Sequence, residues 1–202
     1  MKTTINNEFN EHSKFNLISL YTRYALSLLV GTRTFKHSAN LESISYELKI
    51  MRIVEKSETS ISGIRIIPIC DTALKLLKNY QIKCQELGVP SRNFYYIDSV
   101  GEHKLFNIKS LKKELKIPEV IYNFIDNVPL NFGRHIFTKL AIERNFPRDY
   151  LDAYLGHYSV GLEQFGMFSS MINSDYIESI RNLTEVLAKV YGVSVLLGQI
   201  NN

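Results

Sequence analysis

The spacing of apolar residues divides the chain into helical and extended stretches. Phe15, Leu17, Ile18, Tyr21, Tyr24, Ala25, Leu28 and Leu29 recur at helical intervals, which predicts a helix over residues 13–30 with one broad face buried. Ser13 is suited to cap it, and Gly31 to end it in a left-handed conformation. A short turn or helix follows at 38–44. The pattern then changes: 46–55 and 61–70 are rich in Ile, Val and Tyr and are separated by a Ser/Glu/Thr loop, as in a β-hairpin or part of a three-stranded sheet. Asp71 reads as the cap of a helix to residue 87, with Ala73, Leu74, Leu77, Tyr80 and Cys84 inward and Gly88 and Pro90 closing it. Residues 94–97 have the makings of a short third strand. Helices are then predicted at 108–115, at 118–124 with Pro118 in its first turn, and at 133–145, 147–155 and 174–191.

The fold class expected from this order is mainly α with a small antiparallel sheet. No repeat or linker divides the chain. Residues 1–12 read as a loose lead-in, 13–192 as one domain and 193–202 as a tail.

Composition narrows the class without naming a function. Hydrophobic residues make up 45% and charged residues 22% of 202, enough to build a full core. A net charge of +4 permits a nucleic-acid surface without demanding one. Cys70 and Cys84 form no disulfide framework, and the five histidines lack metal-ligand spacing, so a reducing compartment and no metal or cofactor are expected. The first residues lack the apolar stretch of a secretory signal, and no apolar run is long enough to span a bilayer. A soluble, cytoplasmic protein is the expectation.

Chemistry concentrates in a few boxes. Leu29-Val30-Gly31-Thr32-Arg33-Thr34 ends the first helix, and by itself Arg33 reads as a surface residue after a helix end. Lys56 closes the first hairpin strand, a common place for a solvated lysine. Asn131-Phe132-Gly133-Arg134-His135 opens a helix. There Asn131 is a favoured cap residue, and Arg134 shares the first turn with free backbone N–H groups. Phe132, Ile136, Phe137, Leu140 and Ala141 make the buried face of that helix, leaving Arg134 on another side. Leu155-Gly156-His157 follows a short amphipathic helix, so that a glycine turn sends the imidazole outward.

These boxes, in this order and about twenty residues apart for the last two, resemble the catalytic domain of the tyrosine recombinases, the phage-integrase family. The resemblance covers roughly residues 14–192; no counterpart of the family's N-terminal DNA-clamping domain is recognised. It implies a DNA strand transferase that cuts and rejoins duplex DNA through a phosphotyrosyl intermediate, acting in DNA integration, recombination and mobile elements with other protomers on DNA. It implies that Arg33, Arg134 and His157 hold the scissile phosphate, which suits two guanidiniums that fork onto phosphate oxygens and an imidazole that donates at neutral pH. Lys56 is implied as the acid for the departing oxygen. Asn131 stands where the family has histidine, and an amide cannot shuttle a proton.

The chain departs from the family at the nucleophile. That tyrosine lies about nine residues after the histidine, which here gives Gly166, with Phe165 and Phe168 nearby and no hydroxyl on either. Phe168 is the natural stand-in. An integrase-like subgroup has Gly-x-Glu and then Phe/Tyr-Ser-Ser after its Leu-Gly-His, and Gly161-x-Glu163 and Phe168-Ser169-Ser170 are similar. The fallback tyrosines are Tyr158, directly after His157, and Tyr176 on the last helix. Three readings follow: a recombinase with a displaced tyrosine, a DNA-binding partner or regulator that has lost cleavage, and a fold reused for protein interaction.

Overall fold

The computed structural model describes residues 11–31, 41–54, 64–106, 110, 132–157 and 171–194. Helix α1 (Glu11–Val30) runs through the middle of the protein. It starts earlier than the expected cap at Ser13, so Glu11 and His12 belong to the helix and not to a lead-in. Its burial is also wider than one face. Asn16, Ser19, Thr22, Arg23 and Ser27 are buried together with Phe15, Leu20, Leu28 and Leu29. Buried polar groups need partners. Asn16 supplies both an amide donor, 2.7 Å from the Ile97 carbonyl, and an acceptor, 2.7 Å from the Ile97 N–H. Ser19 donates to the Tyr95 carbonyl at 2.7 Å. Side chains of α1 thus replace a neighbouring strand along the segment that contains Tyr95 and Ile97.

That segment is a strand, and its pairing differs from the expectation. Strand β1 (Ile44–Ser45), β2 (Ile50–Val54) and β3 (Ile64–Pro68) form an antiparallel three-stranded sheet in that order. Met51 lies opposite Ile67, and both side chains point into the core. Residues 46–49 form a turn and not the start of a long strand: Lys49 takes a left-handed φ of 53° and the Leu48 N–H bonds the Ser45 hydroxyl. Strand β4 (Tyr95–Ile97) makes a separate two-stranded sheet with β5 (His103–Leu105), whose residues are all exposed and show no apolar alternation. Leu41–Ser43 is a single 3-10 turn.

Helix α2 (Asp71–Glu86) buries Ala73, Leu74, Leu76, Leu77, Tyr80 and Cys84. Asp71 does not cap it. Cys70 holds the cap position, and Asp71 instead pairs with Lys49 at 2.8 Å. The carboxylate of Glu185 does the capping from another helix, taking the Thr72 hydroxyl at 2.7 Å and its N–H at 3.3 Å.

Helices α3 (Phe132–Glu143) and α4 (Arg148–Leu155) are joined through Asn145, at φ 52°. Helix α5 (Asn173–Val190) packs Tyr176, Ile180, Leu183, Leu187 and Ala188 onto the protein's own core, while Val190 is exposed. Buried apolar residues from Phe15 to Ala188 make one continuous cluster. The coarse class, mixed α and β with a small antiparallel sheet, is therefore as expected. Ser110, the described residue of the helix expected at 108–115, is helical; the helix expected at 118–124 lies outside the described residues, as do 1–10 and 195–202.

The turn between β4 and β5 is closed by charge. The Asp98 carboxylate accepts the N–H groups of Val100 at 3.0 Å and Glu102 at 2.9 Å, and Lys104 stands 2.7 Å away. The lysine, foremost, and these amides hold its pKa below the ordinary carboxylate value. Such a group lends stability that is complete above the pKa it has in the unfolded chain and is lost as pH falls through the lowered folded value. Acidification below about pH 4 is expected to speed amide exchange at Val100 and Glu102 before the core opens. In Asp98→Asn these two amides should exchange fast already at neutral pH.

Candidate functional site

Three of the sequence boxes meet at one place through close backbone packing. Gly133, in the first turn of α3, lies so near α1 that a Cβ would stand 2.1 Å from the Ser27 carbonyl oxygen and 2.6 Å from its carbon. Only glycine permits that approach. At the end of α1, Gly31 has φ +58°, and a Cβ there would meet the Tyr154 ring at 2.7 Å. Tyr154 of α4 donates its hydroxyl to the Leu29 carbonyl at 3.2 Å and stacks on Phe137 of α3, with ring centroids 4.0 Å apart. The end of α1, the start of α3 and the end of α4 are thereby fixed against one another.

Arg134 follows Gly133 into this junction. It is 7% exposed, on the same side of α3 as Phe137 and Ala141, whereas Phe132, Ile136 and Leu140 are only partly buried. The expectation that Arg134 leaves the buried face is corrected. With glycine at 133, the α3 face nearest α1 and α4 includes the arginine, and its guanidinium is taken inside.

The same nitrogen of that guanidinium, Nη2, serves two partners. It donates to the Leu155 carbonyl at 2.6 Å and lies 3.2 Å from His157 Nε2. Leu155 is the last residue of α4, where carbonyls lack helical partners and the dipole is negative, so a cation there is doubly favoured. Arg134 accordingly has a structural role as well as any functional one: it closes the end of α4.

Gly156 turns the chain with φ 71° and ψ 33°. Its N–H bonds the Ala153 carbonyl at 3.2 Å, and the His157 N–H bonds the Asp152 carbonyl at 2.9 Å. His157 emerges with its side chain 55% exposed, at the edge of the junction. The turn expected at Leu155-Gly156-His157 is thus present in detail. Asp152, unnoticed in the sequence, faces the other ring nitrogen: its Oδ1 is 4.0 Å from His157 Nδ1, and its Oδ2 accepts from Arg148 Nε at 3.0 Å. The spacing of Arg148 and Asp152 on α4 was the available signal, since residues four apart share a helix face.

Of the other candidates, Arg33, Lys56, Asn131, Tyr158, Gly166 and Phe168 lie outside the described residues, as do Gly161-x-Glu163 and Phe168-Ser169-Ser170. Tyr176 is described, and it is fully buried in the core with its hydroxyl donating to the Ile66 carbonyl at 3.3 Å. A hydroxyl enclosed in this way cannot reach a phosphate on the surface, which removes Tyr176 as a fallback nucleophile.

A concave region of about 450 Å³ lies between the start of α2 and α5, lined by Cys70, Asp71, Ile177, Glu178, Arg181 and Glu185 among others. It shares no residue with the Arg134–His157 pair. Burial pushes the Cys70 thiol up to about 12, so it is a packed side chain and not a reactive one. Among the described residues no group of three metal-ligating side chains occurs, and no helix is long and apolar enough to cross a membrane.

No family model, curated protein or solved structure matches the chain.

The Gly133 contact yields a direct expectation. Gly133→Ala places a methyl against backbone that has no side chain to move aside, at a cost of about 3 kcal/mol, and the thermal midpoint should fall by roughly 6–12 °C. A midpoint within a degree or two of the parent would mean that α3 and α1 do not approach this closely.

Proposed function

We propose that this chain is an integrase-like catalytic domain of the tyrosine recombinase type, which grips a DNA phosphate with Arg134 and His157. The observation that carries the reading is the 3.2 Å approach of Arg134 Nη2 to His157 Nε2. Two boxes that the sequence separates by 23 residues are brought together at one edge of the fold, one charged and one able to donate, as a phosphate grip requires. On this reading Arg33 supplies the second guanidinium, Lys56 protonates the departing oxygen, and Asn131 supports the site without moving a proton. The substrate is double-stranded DNA, bound together with further recombinase protomers, in DNA integration or recombination within a mobile element. No metal or cofactor takes part in this chemistry.

A second reading, a DNA-binding partner or regulator that has lost cleavage, is favoured by the lack of a hydroxyl at Phe168 and by the burial of Tyr176. A nicked duplex that traps the covalent intermediate separates the two. A stable protein–DNA adduct that maps to a tyrosine, Tyr158 above all, supports the recombinase; duplex binding with no adduct supports the regulator.

The phosphate contact itself is tested by salt. Arg134→Lys keeps a charge to close α4 but loses the fork. It should weaken duplex binding about tenfold with little change in the slope of log K against log salt, whereas Arg134→Met should reduce that slope by about one unit. An unchanged slope in Arg134→Met, with its thermal midpoint retained, would rule out the DNA-phosphate role of Arg134.

A further inference from the structure

Hydrogen-bond polarity at the junction has a consequence for His157. A guanidinium can only donate, so the 3.2 Å contact from Arg134 Nη2 requires a lone pair on His157 Nε2. The ring proton then sits on Nδ1, the nitrogen that faces Asp152 Oδ1 at 4.0 Å. Asp152 is in turn held by Arg148 at 3.0 Å, and its own backbone carbonyl accepts the His157 N–H at 2.9 Å. Among the described residues, the charged groups facing the ring from the two packed helices are Arg134 on α3 and Asp152, with Arg148 behind it, on α4.

We infer that Asp152 is a positioning residue for His157: its carboxylate charge, 4.0 Å from Nδ1, favours the imidazole with its proton on that nitrogen, so that an anion entering at Arg134 is bound together with a proton. This rests on the phosphate-grip reading for its ligand, though not for its tautomer. An arriving phosphate oxygen competes for the Arg134 Nη2 hydrogen that His157 Nε2 now accepts. The freed Nε2 lone pair then faces an anion, a repulsive arrangement until it takes a proton from solvent. Once protonated, Nε2 donates to the phosphate, and the imidazolium has Asp152 on its far side to stabilise it. No bond other than N–H forms, and the buffer acid supplies the proton through solvent, leaving its conjugate base. The same carboxylate serves both states, orienting the neutral ring and balancing the charged one.

Nitrogen-15 NMR of the histidine ring in the free protein provides the first test, with the His157 signal assigned by its loss in His157→Gln. The expected result is the Nδ1–H tautomer; a dominant Nε2–H tautomer overturns the inference whether or not the protein binds DNA. The second test is calorimetry of a short duplex in two buffers of different ionisation heat, for the parent, Asp152→Asn and Asp152→Glu. Proton uptake on binding is expected in the parent, loss of at least half of it in Asp152→Asn, and recovery in Asp152→Glu, with thermal midpoints close to one another. Duplex affinity should likewise be several-fold higher at about pH 6 than at about pH 8 in the parent, and that ratio should shrink in Asp152→Asn. Uptake unchanged by Asp152→Asn overturns the positioning role. If the NMR shows Nδ1–H and no duplex binds, the phosphate reading fails, and with it the coupled proton uptake, while the tautomer stands.

Discussion

The approach of α3 to α1 at Gly133 sets the geometry of everything around the candidate site. With a Cβ position only 2.1 Å from the Ser27 carbonyl, the two backbones are nearly in contact, and the residue after the glycine is carried below the surface. That residue is Arg134. Its charge is accommodated because α4 ends beside it and offers the Leu155 carbonyl at 2.6 Å, at the negative end of the helix dipole. A longer interhelical distance would leave the guanidinium in water, where it would lose its fixed direction. Close packing, burial of the arginine and closure of α4 therefore depend on one another.

Rigidity at the junction has a second source in aromatic contacts. Tyr154 lies over Gly31, stacks on Phe137 and reaches the Leu29 carbonyl, so one side chain of α4 touches both α1 and α3. His157, three positions further on, is presented from a fixed turn and not from a free loop. A half-exposed imidazole beside a buried guanidinium combines one fixed donor with one group that can change its proton, which is the physical content of the proposed phosphate grip. Asp152 adds the counter-charge on the far side of the ring.

Local signals carried much of the architecture. The helical spacing from Phe15 to Leu29, Gly31 and Gly88 at helix ends, and the turn at Leu155-Gly156-His157 appear where expected, and the Ile- and Val-rich hairpin forms with shorter strands. Local readings failed where a distant partner decided the outcome. Asp71 has the chemistry of a cap, yet Lys49 takes it and Glu185 caps α2 from another helix. Strand β5 carries no apolar alternation, because its side chains are exposed and it is held by the β4 backbone, by Lys104 on Asp98 and by His103 against the Tyr95 ring. The apolar spacing along α3 puts Arg134 outside the buried face, because periodicity carries no information about a neighbouring helix packed this closely.

By itself the sequence determined which residue types were present and how they were grouped: a glycine before an arginine at a helix start, and a glycine before a histidine at a helix end. Those are local properties, written into φ/ψ preference and periodicity. Only the tertiary structure decided that Arg134 and His157 meet, that the arginine's donor faces the imidazole's lone pair, that Asp152 stands behind it, and that the Tyr176 hydroxyl is enclosed in the core. Apart from Asp152, which reaches His157 within one helix end, each of these depends on distances between segments far apart in the chain, which no pattern of spacing encodes.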